Sequence, residues 1–583
     1  MKNHSFCQKK LSERVDKPIV VFCHTTLQKP LGARMEQNRR LSNKRIAVGT
    51  VTTVGMSTNW SHLGSGTTET VQVKTLLAVD TAPLRDGIEA ASCMKMRQNW
   101  AALQIGDHGA ILATDPLRSF PLYWAKTKDG TVISDSCFVL AKETGARPNR
   151  KALDYMRFTG FCPGEETFFE GVSCLSPGTI LHLDSTGKEV SRTFYDDNSL
   201  AVDPVITDEL FFRKELEKNL DLVMSRMLES IGSSRILLPL SGGLDSRLLA
   251  TWLANHQVKN VLAFTYGESA NQPEAKISRE VASRLGIPFE FVELSSQRVY
   301  RYWQRKETAE LLRYASSGNA LPHIQDFIAL QTLLDKGQAS PGDVLLPGHT
   351  VVGNMHNLEL LEQTPVSLKD IARAVIGHHM GLRYFRPPQS IQDQMRSDLQ
   401  HLADHLHFDG SARSTQRLVE AFNLHERQTK YINNSMKIYE YLGLRWALPM
   451  LDREFARCWF SGAVELTADR EFYGRWINSL YETKAGKSDP LYGASRLPMP
   501  GFIRPLAIKL ARLSHFDVLV SRIRSVHLTM QHPLGFTKYL PKMNRIELAA
   551  RLLFEGPILG IWTRKFLNDT WHQDLDIFHR ARK

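Results

Sequence analysis

The sequence predicts an α/β protein whose central sheet is parallel, preceded by a β-rich region of antiparallel character. Three observations lead there. Ile236-Leu-Leu, Asn260-Val-Leu-Ala-Phe-Thr-Tyr-Gly and Phe289-Glu-Phe-Val are apolar runs of strand length. Stretches of helical periodicity lie between them, and helix crossovers of that length join parallel strands in a sheet covered on both faces. Ahead of them, from residue 46 to about 195, short apolar segments alternate with Gly, Asp and Pro turns.

Taken in order, Ala101-Ala-Leu-Gln-Ile, Ala110-Ile-Leu-Ala, Thr131-Val-Ile and Thr179-Ile-Leu-His-Leu read as strands of the first region. Pro204 to Leu228 reads as a helix, with Leu210, Phe211, Leu216, Leu220, Leu222 and Val223 as its apolar residues. The strand at Ile236 comes next, then a turn at Ser241, Gly242 and Gly243, then a helix from Ser246. A second helix is expected from Glu274 to Leu285. Residues 300–480 read as mostly helical, with one further strand at Asp343-Val-Leu-Leu, and Trp303, Trp446, Trp459 and Trp476 as core. Expected boundaries are a basic segment 1–45, a first domain 46–200, a second domain 205–480 and a basic helical segment 481–583.

The turn carries the chemistry. Ser241, Gly242, Gly243, Leu244, Asp245 and Ser246 stand between a buried strand and a helix. Such a loop turns backbone N–H groups toward one point, and the helix dipole adds positive potential there. Glycine lets an anion approach because no Cβ intrudes. Ser241 and Ser246 add hydroxyl donors, and Asp245 suits Mg2+ held against phosphate. A Walker A loop would end in Gly-Lys-Ser/Thr. This spacing instead fits a pyrophosphate loop that splits ATP between its α and β phosphates.

At 583 residues the chain suits two or three domains. No apolar run is long enough to span a bilayer; Leu552 to Trp562 is short and interrupted by Glu555. The start of the chain has no secretory pattern. Seven cysteines are scattered with no Cys-x-x-Cys pair, which argues against a zinc knuckle or disulfide framework and for a reduced, cytoplasmic setting. The net charge of +12 concentrates in residues 1–45 and after residue 500. Without aromatic-basic interleaving this reads as solvated tails, so nucleic acid is not an expected partner. His401, His405 and His407 lack the acidic residue of a His-Glu-x-x-His metal motif.

Several ordered motifs, over about residues 95–475, resemble the asparagine synthetase-like family, which also contains beta-lactam synthetase and lasso-peptide cyclase. Asp115-Pro-Leu-Arg-Ser-Phe-Pro-Leu-Tyr-Trp, Val132-Ile-Ser-Asp and Phe169-Glu-Gly-Val-Ser-Cys-Leu-Ser-Pro-Gly resemble its N-terminal domain. Ser241-Gly-Gly-Leu-Asp-Ser resembles its pyrophosphate loop. Glu426-Arg-Gln-Thr-Lys-Tyr-Ile-Asn-Asn-Ser, Tyr439-Glu-Tyr-Leu-Gly and Leu448-Pro-Met-Leu-Asp resemble its late helical signature. The nearest resemblance is to homologues encoded near bacterial surface-polysaccharide genes. It implies a degenerate Ntn-hydrolase-type αββα glutaminase-like domain, followed by an adenine-nucleotide α-hydrolase-like synthetase domain with added helices. The implied activity is asparagine synthase-type ligation: a carboxylate is adenylated by ATP with Mg2+, and an amine or ammonia then forms the amide. The carboxylate would belong to a small molecule or peptide, and a homodimer is possible.

The chain departs from that pattern at three places. A glutamine-dependent member begins its mature chain with cysteine, whereas Lys2 follows Met1 here and no Met-Cys pair occurs. Glutamine hydrolysis is therefore not expected, and Cys7 or Cys23 could serve only after proteolysis. Val352, in Gly348-His-Thr-Val-Val-Gly, stands where the resemblance implies a metal-binding aspartate. Arg445, in Gly443-Leu-Arg, stands where it implies a glutamate that helps activate the amine, and Glu440 is the candidate catalytic carboxylate to compensate on the amine side. Lys487 and Lys538 are candidates for the intermediate-stabilising lysine. Two rival readings remain: a nucleotide-binding pseudoenzyme or regulator, and a nucleic-acid-modifying pyrophosphate-loop enzyme.

Overall fold

The computed structural model describes residues 47–488, apart from short interruptions such as 64–68, 197–202 and 304–306, together with a few residues of 522–529 and residues 544–568. The basic segment 1–45, Cys7, Cys23, Lys538 and the Trp303 side chain lie outside the described residues.

The first region contains β1 (Ala47–Val48), β2 (Val51–Thr53), β3 (Trp60–Leu63), β4 (Glu69–Thr75), β5 (Trp100–Gly106), β6 (Gly109–Thr114), β7 (Tyr123–Thr127), β8 (Gly130–Ser134), β9 (Val172–Cys174), β10 (Thr179–Asp184) and β11 (Glu189–Phe194). They form two sheets, ordered β1-β2-β8-β7-β9 and β11-β10-β6-β5-β4-β3. Pairing is antiparallel except between β2 and β8. Alternation along β5 shows how the layers stack. Ala101, Leu103 and Ile105 join the core shared with the other sheet, while Trp100 and Ala102 face a second cluster completed by Leu84, Ile88 and Cys93. That second cluster is roofed by the short helix Ala90–Lys95. The helix Cys137–Thr144 packs on the five-stranded sheet, capped by Ser136, whose hydroxyl accepts from the amide of Val139.

The second region holds a five-stranded parallel sheet. β12 (Ile236–Pro239), β13 (Val261–Gly267), β14 (Phe289–Glu293), β15 (Val344–Leu345) and β16 (Arg445–Trp446) are ordered β14-β13-β12-β15-β16, all neighbours parallel. Ile236, Leu237 and Leu238 are buried, as an interior strand covered on both faces requires.

Several expectations need correction. The helix expected over 204–228 runs from Glu209 to Ile231, capped by Asp208. Its buried stripe is Phe212, Leu216, Leu220, Val223, Met227 and Ile231, a spacing of three and four. Leu210, Phe211 and Leu222 fall off that stripe and are exposed. β16 is a strand that sequence periodicity does not signal, because two residues carry no period. Trp446, Trp459 and Trp476 are buried.

The C-terminal helices Arg545–Phe554 and Ile558–Asn568 pack against residues 382–383, where Gly556 and Gly560 leave room for the carbonyl of Leu382. Among the described residues no helix is long and apolar enough to cross a membrane.

Candidate functional site around the Ser241–Ser246 loop

β12 ends at Pro239, and the helix Leu244–Asn255 starts five residues later. Gly242 has φ of 72°, which glycine adopts without strain. Gly243 caps the helix in extended conformation with no side-chain hydrogen bond to its end, so the first-turn amides keep free donors. The turn is braced from within. The Ser241 amide donates to Ser246 Oγ at 3.3 Å, the Ser241 and Ser246 hydroxyls lie 3.4 Å apart, and the Gly243 amide reaches Ser241 Oγ at 3.4 Å. Arg247 is fully buried, donates to the carbonyl of Gly242, and stacks 4.8 Å above the Tyr481 ring.

Two distant segments close on this loop. Gly348, just past β15, lies so close that a Cβ there would stand 2.9 Å from the Ser246 nitrogen. The helix Glu471–Ala485 packs along the helix Leu244–Asn255, and Arg470 at its start forms an ion pair with Asp245. The Arg470 guanidinium also lies 4.9 Å from the Tyr473 ring. Burial raises the Tyr473 phenol well above its usual range, and the nearby Asp245 charge adds to this. The Tyr473 hydroxyl donates to Met450 Sδ at 3.7 Å, so Asp245, Arg470 and Tyr473 lie together beside the loop.

A third group flanks the 348–350 segment. His349 is neutral at ordinary pH, pushed down to about 3 by burial and then by the nearby His323. His323 is also lowered by burial, and its ring packs 5.3 Å from Tyr431. Neither Nδ1 has a hydrogen-bond partner. Arg427, half-buried and depressed by that burial, has the Tyr431 hydroxyl to oppose the shift, and among the described residues no carboxylate pairs with it. Arg427 and Tyr431 lie on a ten-residue π-helix, Asn423–Ile432. Such helices are rare and concentrate at functional sites.

The site residues read from sequence separate into two groups. Ser241, Gly242, Gly243, Leu244, Asp245 and Ser246 form the loop just described. Glu440 is elsewhere. Its carboxylate accepts from Lys437 Nζ at 2.8 Å, Tyr314 OH at 2.9 Å and Trp446 Nε1 at 3.1 Å. Arg445 opens β16 and donates to the Gly342 carbonyl and to Ser234, both of which precede strands. Gly443 likewise bonds Gly342. Arg445 and Gly443 therefore mark the amino ends of the strands, whereas the loop stands at the carboxyl ends. From Val344 to Gly348 the chain climbs roughly 13 Å at extended spacing. Val352 is buried, with its amide on Thr350 Oγ1 at 3.1 Å. Lys487 is exposed.

The described cysteines, Cys93, Cys137, Cys162, Cys174 and Cys458, are all free and buried. Burial pushes the thiols of Cys93 and Cys458 up to about 12, the opposite of what a nucleophile needs. Among the described residues no cluster of three His, Cys, Asp or Glu could hold a metal. Asp245 is the one carboxylate the loop offers. Mg2+ commonly takes one or two carboxylates plus substrate phosphates, so the residues fit an ion arriving with a nucleotide rather than a resident metal.

Comparison with known proteins places this region. Residues 227–312 match the family model of asparagine synthase, a span containing β12, the loop, β13 and β14. Among solved structures the chain is similar to an NH3-dependent NAD synthetase from Campylobacter jejuni subsp. jejuni NCTC 11168, in complex with the nitrate ion. The identity is 20%, over 26% of this chain and 60% of that one, with a TM-score of 0.18. No curated protein matches the chain.

Proposed function

We propose that the chain is an ATP-dependent amide-forming ligase of the asparagine synthase type. The observation that carries this reading is the Ser241–Ser246 loop at the carboxyl ends of a parallel sheet, within the span that matches the asparagine synthase family model. Free amides of the helix start, the Ser241 and Ser246 hydroxyls, and two helix amino termini favour polyphosphate there. Asp245 would hold Mg2+, which neutralises charge on the departing pyrophosphate.

In this reading a carboxylate oxygen of the substrate attacks the α-phosphorus of ATP. The bond between that phosphorus and the α–β bridging oxygen breaks, and pyrophosphate leaves with the electron pair. An amine then attacks the acyl carbon, loses a proton to solvent, and AMP departs. Arg427, with His323 near it, is the anion-favouring side and is assigned to hold the acid. The amine comes from solution or from the substrate itself, because the described thiols are buried and protonated. Glu440 has no part in this reading, since its carboxylate is already committed to Lys437, Tyr314 and Trp446. A reduced, cytoplasmic setting accords with the unpaired thiols.

The test is exchange of labelled pyrophosphate into ATP with Mg2+ and a panel of carboxylic acids. Acid-dependent exchange supports the ligase. Nucleotide binding without exchange for any acid supports the second reading, a nucleotide-binding pseudoenzyme, which the apolar Val352 favours.

A further inference from the structure

The pairing of Asp245 with Arg470 has a consequence that rests on the ATP reading above but goes beyond it. Asp245 is the only loop carboxylate available to a metal, and it is already neutralised by a guanidinium. A metal cation and Arg470 compete for the charge of this one carboxylate, and repulsion between the two positive centres weakens the ion pair when a cation arrives. Arg470, for its part, is only half used. It reaches Asp245 through Nη2, while its buried Nε has no hydrogen-bond partner. Its stacking on Tyr473 keeps the guanidinium plane beside the loop if the contact to Asp245 is released. Guanidinium binds phosphate oxygens through paired N–H donors, a geometry that a single Nη2 contact leaves unfilled.

We propose that Arg470 is a pyrophosphate-binding residue working by ion-pair exchange. Without nucleotide it holds Asp245. With polyphosphate in the loop, its Nε and Nη donors move to phosphate oxygens, and Asp245 is released to the incoming divalent cation. The pair thus stores the two charges the loaded site needs, already placed and mutually neutralised.

The exchange predicts opposite effects for its two partners. Binding of inorganic pyrophosphate to the full chain is measured by calorimetry, with chelator and then with Mg2+. Arg470→Gln, which keeps much of the side chain's length without its charge, should weaken metal-free binding about tenfold to a hundredfold. Arg470→Lys should recover part of that loss. Asp245→Asn should strengthen metal-free binding, because Arg470 is no longer held back, and should remove the gain given by Mg2+. Melting curves establish that each variant is folded. Undiminished binding in Arg470→Gln, or weaker metal-free binding in Asp245→Asn, overturns the exchange while leaving the loop assignment intact. No pyrophosphate binding in the wild type, with or without Mg2+, overturns the loop assignment and the exchange together.

Discussion

Gly348 presses against Ser246: a methyl group on Gly348 would stand 2.9 Å from the Ser246 amide nitrogen and 3.0 Å from Asp245 Cβ. The segment after β15 is thereby seated on the first turn of the helix that succeeds the Ser241–Ser246 loop. Gly348→Ala must shift one backbone or the other. We expect it to lower ATP affinity at least tenfold while reducing the melting temperature only modestly, as read by calorimetry and thermal denaturation.

Gly243 makes the complementary case. A Cβ there meets only Ser241 Oγ, at 3.4 Å, and its φ of −84° suits any residue. The fold therefore tolerates Gly243→Val, but the added side chain occupies space that phosphates need. We expect an unchanged melting temperature and no detectable ATP binding. Unchanged ATP affinity in this variant would refute the loop assignment.

Glu440 and Lys437 form a buried pair, both side chains less than a tenth exposed. Lys437 also donates to the Ser119 carbonyl and lies 5.4 Å from the Phe120 ring, which Lys74 approaches at 5.6 Å. The pair therefore joins the two regions. Glu440→Gln leaves a buried ammonium without its counter-ion and should destabilise the fold by about 3 kcal/mol. The pyrophosphate exchange rate of the folded fraction should stay unchanged. A hundredfold loss of rate in a variant of normal stability would return Glu440 to the catalytic group.

Glu420 lies against Gly353, and burial pushes its carboxyl up from 4.5 to about 8. The folded state then holds a proton that the unfolded state releases between those values. Stability should be greatest below pH 4.5 on this account, fall as pH rises to about 8, and level off above. Glu420→Gln should flatten that slope in denaturant titrations across the range. A slope identical to the wild type would show that other groups produce it.

Among the described residues no carboxylate pairs with Arg427, and the His323 imidazole, whose Nδ1 lacks a hydrogen-bond partner, lies near enough to feel its charge. Arg427→Ala should raise KM for the acid at least tenfold and leave ATP affinity unchanged. Equal losses for acid and ATP would place Arg427 in the support of the loop instead.

How much is legible in the sequence depends on distance along the chain. β12, the loop and the helix Leu244–Asn255 are readable because all their determinants sit within about twenty residues, as apolar run, glycines and helical period. The role of Arg470 is not, because it meets Asp245 from 225 residues away. Nothing about an arginine before a helix announces that partner. Arg445 is hard to place for a related reason. Its spacing before Leu448-Pro-Met-Leu-Asp suggests the reacting end of the site, but only the register of β16 beside β15, with its guanidinium on Gly342 and Ser234, sets it at the amino ends of the strands. Leu210, Phe211 and Leu222 show that apolar character alone does not choose the buried face; the stripe through Phe212, Leu216 and Leu220 does.

The π-helix Asn423–Ile432 makes part of this site depend on a count as well as on chemistry. Its backbone closes five residues back, as where the Asn433 amide meets the Gln428 carbonyl. A stretch wound this way holds more residues per turn than an ordinary helix. Deleting Leu424 would keep Arg427 and Tyr431 in the chain, yet swing both relative to Phe422 by the rotation of one residue, somewhat less than the roughly 100° of an ordinary α-helix. This segment should accordingly accept many changes of letter and no change of length.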